Sequence, residues 1–258
     1  MRLPVTALAA LLATVLVAGC AAPQPAADTP PLDGTSWVLS ALPGRDLDGG
    51  ATATLRFEQG RASGSDGCNR YDAGYTAQGG RIEIAVAAST RMACPPAVTE
   101  QAAAFAAALA AAKGYRVDGT RLQLLAADGA VRATLAAQSQ VLTGSSWRAT
   151  AIHNGQGAVA SLVAGSAVTL RFGTDGLATG SAGCNRYTAR YEQDGAQLRL
   201  QSAAATRMAC PDAGVMAQEQ AFLQALQTVA TARIDGDRLE LRTAAGTLAV
   251  ALQRDAGG

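Results

Sequence analysis

At 258 residues the chain is long enough for one large domain or two small ones, and 49% hydrophobic residues supply ample core material. Only 4% of residues are aromatic, so Trp37, Phe57, Phe105, Trp147, Phe172 and Phe222 are expected to anchor the packing. A formal net charge of +1, with Lys113 the single lysine, excludes the clustered basic surface that nucleic-acid phosphates require.

Met1-Arg2 is a short positive segment, followed from Leu8 to Ala18 by an apolar run too short for a comfortable transmembrane helix. The run ends in Leu16-Val17-Ala18-Gly19-Cys20, which resembles the lipobox of bacterial lipoproteins. That resemblance implies cleavage after residue 19, and a Cys20 carrying a thioether-linked lipid and an acylated amino group. Several acyl chains anchor stably where one would be marginal. Ala21, rather than Asp, then favours the outer membrane of a two-membrane bacterium. Residues 20–33 carry Pro23, Pro25, Pro30 and Pro31 among alanines, the composition of an extended tether.

The remainder reads as one domain given twice, 34–137 and 144–254, joined by a short linker at 138–143. Gly34-Thr35-Ser36-Trp37 is answered by Gly144-Ser145-Ser146-Trp147, and Gly64-Ser65-Asp66-Gly67-Cys68-Asn69-Arg70-Tyr71 by Gly180-Ser181-Ala182-Gly183-Cys184-Asn185-Arg186-Tyr187. Thr90-Arg91-Met92-Ala93-Cys94 returns as Thr206-Arg207-Met208-Ala209-Cys210. Each copy is mostly strand. Leu55-Arg56-Phe57 leads through Gly60 as a hairpin, and Ile82, Ile84 and Val86 alternate with Arg81, Glu83 and Ala85 at the period of a half-buried strand. A closing hairpin turns at Asp128-Gly129, and again at Ala244-Ala245-Gly246. One helix interrupts each copy. Thr99 is expected to cap the first, with Phe105 and Leu109 on one face and Gly114 as its stop; Pro211-Asp212 opens the second, which carries Phe222, Leu226 and Val229. The expected fold is α+β: two tandem small domains, each a curved antiparallel sheet or partial barrel covered by one helix.

The ordered motifs G-x-x-W, L-x-F, G-x-x-G-C-N-x-Y and T-x-M-x-C, then helix and hairpin, resemble the META domain, also called the HslJ-like domain. The resemblance spans nearly all of both copies. It implies a curved sheet or partial barrel closed by a helix, an envelope address, an association with stress responses, and no enzymatic activity.

The two cysteine pairs share a separation of 26 residues, so the members of a pair are expected to meet. In an oxidising compartment this reads as a disulfide framework, Cys68 to Cys94 and Cys184 to Cys210, since each domain should be self-contained. A redox-active pair remains an alternative, because Cys94 and Cys210 precede the expected helices, although neither pair is C-x-x-C. A metal site lacks ligands: His153 is the single histidine and lies in one copy.

Asn69, Arg70, Tyr71, Asn185, Arg186 and Tyr187 have two readings. They are turn and packing residues, or with Arg91 and Arg207 they form a ligand-facing patch. Met92 and Met208 are read as core fillers, and Trp37 and Trp147 as core anchors. Acid–base chemistry common to both copies is not encoded: Asp66, Asp72 and Glu83 become Ala182, Thr188 and Arg199. A triad built on His153 has no counterpart, and Gly64 to Gly67 lacks the lysine of a phosphate loop. The expectation is a non-catalytic, lipid-anchored envelope protein without cofactor, facing the periplasm and binding a protein partner or an apolar ligand in the groove between sheet and helix. The rivals are a thiol-disulfide sensor, and a peptide-binding or protease-inhibitor module acting through an exposed loop at Gly74 to Gly80.

Overall fold

The computed structural model describes residues 31–255 except 49, 86, 87 and 156. Cys20, the signal segment, most of the tether and Val86 lie outside the described residues. The first unit comprises β1 (Thr35–Ala41), β2 (Thr54–Glu58), β3 (Arg61–Ser65), β4 (Arg70–Gln78), β5 (Arg81–Ile84), β6 (Ala88–Ser89), α1 (Pro96–Ala111), β7 (Gly114–Asp118), β8 (Arg121–Leu125) and β9 (Val131–Ala137). The second comprises β10 (Ser146–His153), β11 (Val159–Ser161), β12 (Thr169–Phe172), β13 (Leu177–Ser181), β14 (Arg186–Asp194), β15 (Gln197–Leu200), β16 (Ala204–Ala205), α2 (Ala213–Gln227), β17 (Val229–Asp235), β18 (Arg238–Thr243) and β19 (Leu248–Arg254).

Both sheets close. In the first, β1 to β5 and β7 to β9 pair antiparallel in sequence order, and β9 returns to β1. In the second, the path from β10 through β12 to β15 and β17 to β19 returns to β10. The expected curved sheet is thus an eight-stranded meander barrel, whose closure removes the open edges that invite aggregation. The short strands β6 and β16 sit off the ring, paired to β4 and β14. The seam is narrowest where the helix intervenes: β5 meets β7 at one register pair, Arg81 with Gly114, and β15 meets β17 at Gln197 with Thr231.

Alternation decides what fills the barrels. Along β14, Tyr187, Ala189 and Tyr191 point inward while Arg186, Thr188 and Arg190 point out. A barrel of eight strands has an interior that side chains can fill or that can hold one small ligand. Here it is filled. Leu55, Phe57, Leu122, Leu124 and Leu135 are completely buried with Phe105 of α1, and Leu170, Phe172, Leu239 and Leu241 with Phe222 of α2. Trp37 and Trp147 are core anchors whose Nε1 donates to the Thr35 and Ser145 hydroxyls, each at 2.7 Å.

Several local features differ from expectation. Helix α1 starts at Pro96 and has no side-chain cap; Thr99 lies inside it and donates to the Cys94 carbonyl at 3.3 Å. Proline serves here because its fixed φ suits the first helical position and its missing N–H would have been unpaired anyway. In α2 Asp212 is the cap, accepting from the Gly214 and Val215 amides. Gly114 opens β7, the helix having ended at Ala111. Gly74 to Gly80 is the second half of β4 and the tight turn into β5, not a loop.

Candidate functional site

The repeated cysteine phrases fold alike in both domains. Gly64 and Gly180 are required by close approach: a Cβ at either would collide with the backbone carbonyl of Thr54 or Thr169. The same two carbonyls accept from the buried Tyr71 and Tyr187 hydroxyls, at 2.7 and 2.8 Å. Burial pushes both phenols well above their ordinary range, with Asp235 and Asp66 adding to the effect at Tyr71. The chain then turns at Gly67 and Gly183, both at positive φ, and presents the cysteine.

Cys68 is bonded to Cys94 and Cys184 to Cys210, with Cα atoms 6.0 and 6.3 Å apart. Each bridge ties the β3–β4 or β13–β14 loop to the approach to a helix. The asparagine beside it repeats that tie noncovalently. Asn69 Oδ1 accepts from the Thr90 hydroxyl at 3.1 Å and the Met92 amide at 2.8 Å, and Asn185 Oδ1 does the same with Thr206 and Met208. Neither asparagine takes a left-handed conformation; the glycines do that. The methionines, expected as core, are 64% and 57% exposed. They contribute through their backbone amides, which donate to the asparagines, while their side chains face solvent.

The residues of the supposed patch do not form one surface. Tyr71, Tyr187 and Asn185 are buried and structural, and Asn69 is half-buried in the same role. Arg91, Arg186 and Arg207 are exposed, whereas Arg70 reaches across to the second domain. Two supports were missed by sequence reasoning. Asp66 accepts from the Cys68 and Asn69 amides at 2.8 and 2.6 Å; with Ala182 in its place, Glu219 of α2 takes the Asn185 amide at 2.8 Å and its side chain at 2.9 Å. Gln101 and Gln218 clamp equivalent loops, Gln101 between the Asp48 amide and the Ala51 carbonyl, Gln218 between the Val163 amide and the Ser166 hydroxyl. Both stand four residues before the helix phenylalanine, and that repeat was the available signal.

The linker is docked. Gln138 pairs through its side-chain amide with the Gly236 amide and carbonyl at 3.0 and 2.8 Å, and Gln140 with those of Ile234 at 2.8 and 2.9 Å. Two side chains thereby satisfy the stretch of β17 that β15 does not cover. Leu142 is fully buried in the second core and Leu32 in the first, so both domains reach beyond their strands.

Against this linker lies a cleft of about 420 Å³ between the domains, lined by Arg56, Arg70 and Asp72 from the first and by Arg233 and Asp235 from the second. Arg70 Nη2 reaches Asp235 at 3.3 Å and its Nη1 reaches Glu240 at 3.6 Å. Arg233 and Arg242 share the other Glu240 oxygen at 3.1 and 2.9 Å. Burial would raise the Glu240 pKa, but Arg233, Arg242 and Arg70 outweigh it and hold the carboxyl below its usual range. Arg56 is forked onto Glu58, and Asp72 is paired with Arg61. A smaller apolar groove of about 210 Å³ runs beside α1 at Ile84, Ala106 and Leu109. Openings also recur at both barrel seams, with unlike linings: Arg81, Glu83 and Lys113 in one, Gln197, Arg199 and Val229 in the other. Among the described residues no group of three or more His, Cys, Asp or Glu side chains is placed to hold a metal.

Two solved structures match a single domain's length of the chain. One, an NMR structure of a protein from Burkholderia xenovorans, is 28% identical, with 45% of this chain and 86% of that chain covered at a TM-score of 0.39. A second NMR structure is 19% identical over 43% of this chain and 90% of that chain, at a TM-score of 0.35. A search of curated proteins finds no match. The META domain model matches residues 30–139 and again 140–256, the two units that the barrels, disulfides and asparagine ties define, and the chain therefore belongs to the META domain family, as a tandem pair.

Proposed function

We propose that this is a non-catalytic binding protein of the bacterial envelope, held to the membrane through a lipid on Cys20, with the cleft between its two domains as the ligand site. The observation that carries the reading is where space remains. The barrel interiors are filled, and the groove beside α1 falls below the range of about 300–1,000 Å³ typical of ligand pockets; the interdomain cleft and the two seam openings fall within it, and of these three the cleft is the one walled by residues of both domains. Domain interfaces are also preferred ligand positions. The cleft walls are held by Gln138, Gln140 and the Arg70 pairs, so the site is preorganised and association loses less freedom. The apolar groove is the weaker candidate on volume alone.

Native mass spectrometry on residues 21–258, exported for folding in the periplasm, tests the ligand. A retained small molecule that is lost when Ala88, exposed at the cleft, becomes Trp supports the reading; a molecule that stays bound to that variant overturns it. The anchor is tested separately. Labelled palmitate is expected in the full chain and absent from Cys20→Ser; label in both would move the attachment elsewhere.

A thiol-disulfide role is the second reading, kept alive by the position of Cys94 immediately before α1. It expects a reduction potential in the range of redox proteins rather than below about −300 mV, where structural bridges lie.

A further inference from the structure

The two domains meet through unlike faces. The first offers Arg70 of β4 together with Thr52 and Thr54 at the start of β2; the second inserts the tip of its β17–β18 hairpin. Asp235 of that tip takes Arg70 at 3.3 Å, and Gly236 lies so near Thr52 that a Cβ on it would come within 2.9 Å of the threonine methyl. Because the domains are copies, each also carries the face that the other uses. The second repeats the receiving face as Arg186, Ala167 and Thr169, aligned by the cysteine phrase and by the matching bridges Ala53 to Asp66 and Val168 to Ala182. The first repeats the hairpin tip as Asp118-Gly119, between β7 and β8. Both repeats are uncovered. Thr54 is 3% exposed but Thr169 only half-buried; Arg70, Asp235 and Gly236 are half-buried, whereas Arg186, Asp118 and Gly119 are exposed. Neither Arg186 nor Asp118 has an ion-pair partner among the described residues, although their counterparts pair with each other.

We propose that the chain associates with a second copy of itself, head to tail, the β7–β8 tip of one copy docking on the open face of the next so that Asp118 pairs with Arg186 of the partner subunit. Two observations select this occupant. The open groups carry opposite charges, and they are the repeat counterparts of a pair that already meets within the chain. The supports recur as well. Arg116 donates to Gln123 across the hairpin at 2.5 and 3.2 Å, as Arg233 does to Glu240 at 3.1 Å, so the tip keeps its frame. The Asp255 amide bonds the Ser146 carbonyl as the Gln138 amide bonds that of Ser36, which places a carboxylate where Gln138 accepts from the docked Gly236. Gln123 in place of Glu240 and Thr188 in place of Asp72 leave fewer charges, so the contact between chains is weaker than the one within and is screened by salt. Such a contact is heterologous, and it either closes into a ring or runs on as an open chain. It does not depend on what the cleft binds.

Sedimentation velocity on residues 21–258, which contain both barrels whole, tests the association over a range of protein concentration at low salt. Wild type is expected to sediment faster as concentration rises, and about 0.5 M salt to reverse the effect. Asp118→Arg and Arg186→Asp should each weaken association at least about tenfold, because like charges then face each other across the contact. Both changes fall on exposed side chains, so each variant should melt as wild type does. Mixed in equal amounts, the two variants should associate again, since each then meets the opposite charge on the other. Growth that stops at two copies assigns a closed ring, and continued growth an open chain. A wild type that stays monomeric up to about 1 mM overturns the proposal. So does association that either variant alone leaves intact, or that the mixture fails to restore.

Discussion

Asp66 and Glu219 perform one task from two places. Both carboxylates hold the backbone amide of the asparagine that follows the cysteine, one from the loop and one from the helix. Removing Glu219 leaves a buried amide unpaired, which costs about 1–3 kcal/mol. Glu219→Ala is therefore expected to destabilise the second domain by that amount in urea unfolding. Ala182→Asp added to it should recover most of the loss by recreating the arrangement of the first domain. A double variant no more stable than Glu219→Ala would show that the carboxylate matters for another reason. No alignment of the two copies predicts this exchange, because Glu219 is far from Ala182 in sequence and near it only once α2 is seated on the barrel.

At the scale of elements, the glycine before each cysteine loop decides whether the third and fourth strands of a barrel can form beside the second. Gly180→Ala puts a methyl group into the Thr169 carbonyl, the group that also receives the Tyr187 hydroxyl. Backbone must shift to relieve it, and such overpacking costs about 1–3 kcal/mol or more. Thermal unfolding of Gly180→Ala should show the second domain melting well before the first, as two resolved transitions; a single unshifted transition would refute the collision. The disulfide beside it acts differently. Closing a loop of this length contributes about 3 kcal/mol, mainly by restricting the unfolded chain. Cys68→Ser with Cys94→Ser should lower stability by about that amount while Asn69 still holds the Thr90 to Met92 segment in place.

For the whole molecule, the arginine cluster around Glu240, chiefly Arg233 and Arg242 of the same domain with Arg70 added from the other, makes stability depend on pH. The folded carboxyl of Glu240 lies below its unfolded value, so its contribution is fully present above about pH 4.3 and is lost as pH falls through the folded pKa. Glu240→Gln lacks that contribution at every pH. The difference in unfolding free energy between wild type and variant should be largest near neutrality and shrink as pH falls below about 4.3. A difference independent of pH would mean that the arginines do not act on the charge of this carboxylate.

The duplication, the strand and helix order, the core aromatics and the cysteine pairs were legible in the chain, because periodicity, turn glycines and a repeated spacing are local or self-comparing signals. Repetition marked Asn69, Tyr71 and their counterparts but fitted architecture and a ligand-facing patch alike; their hydrogen bonds to neighbouring backbone show the architectural role. The same logic hid the candidate site. Arg233, Glu240, Gln138 and Gln140 are brought to Arg70 by the packing of one barrel on the other, across a sequence distance no motif spans. Met92 and Met208 show the converse limit: an apolar side chain is expected in the core, yet both are exposed, in segments held to the asparagines through their backbone. Sequence by itself determined two copies of a mostly stranded, one-helix domain, each with its own cysteine pair, since those signals lie within one copy. Only the tertiary structure decided that the sheets close completely, that their interiors are filled and that a charged cleft opens between the domains, because all three depend on how distant surfaces meet.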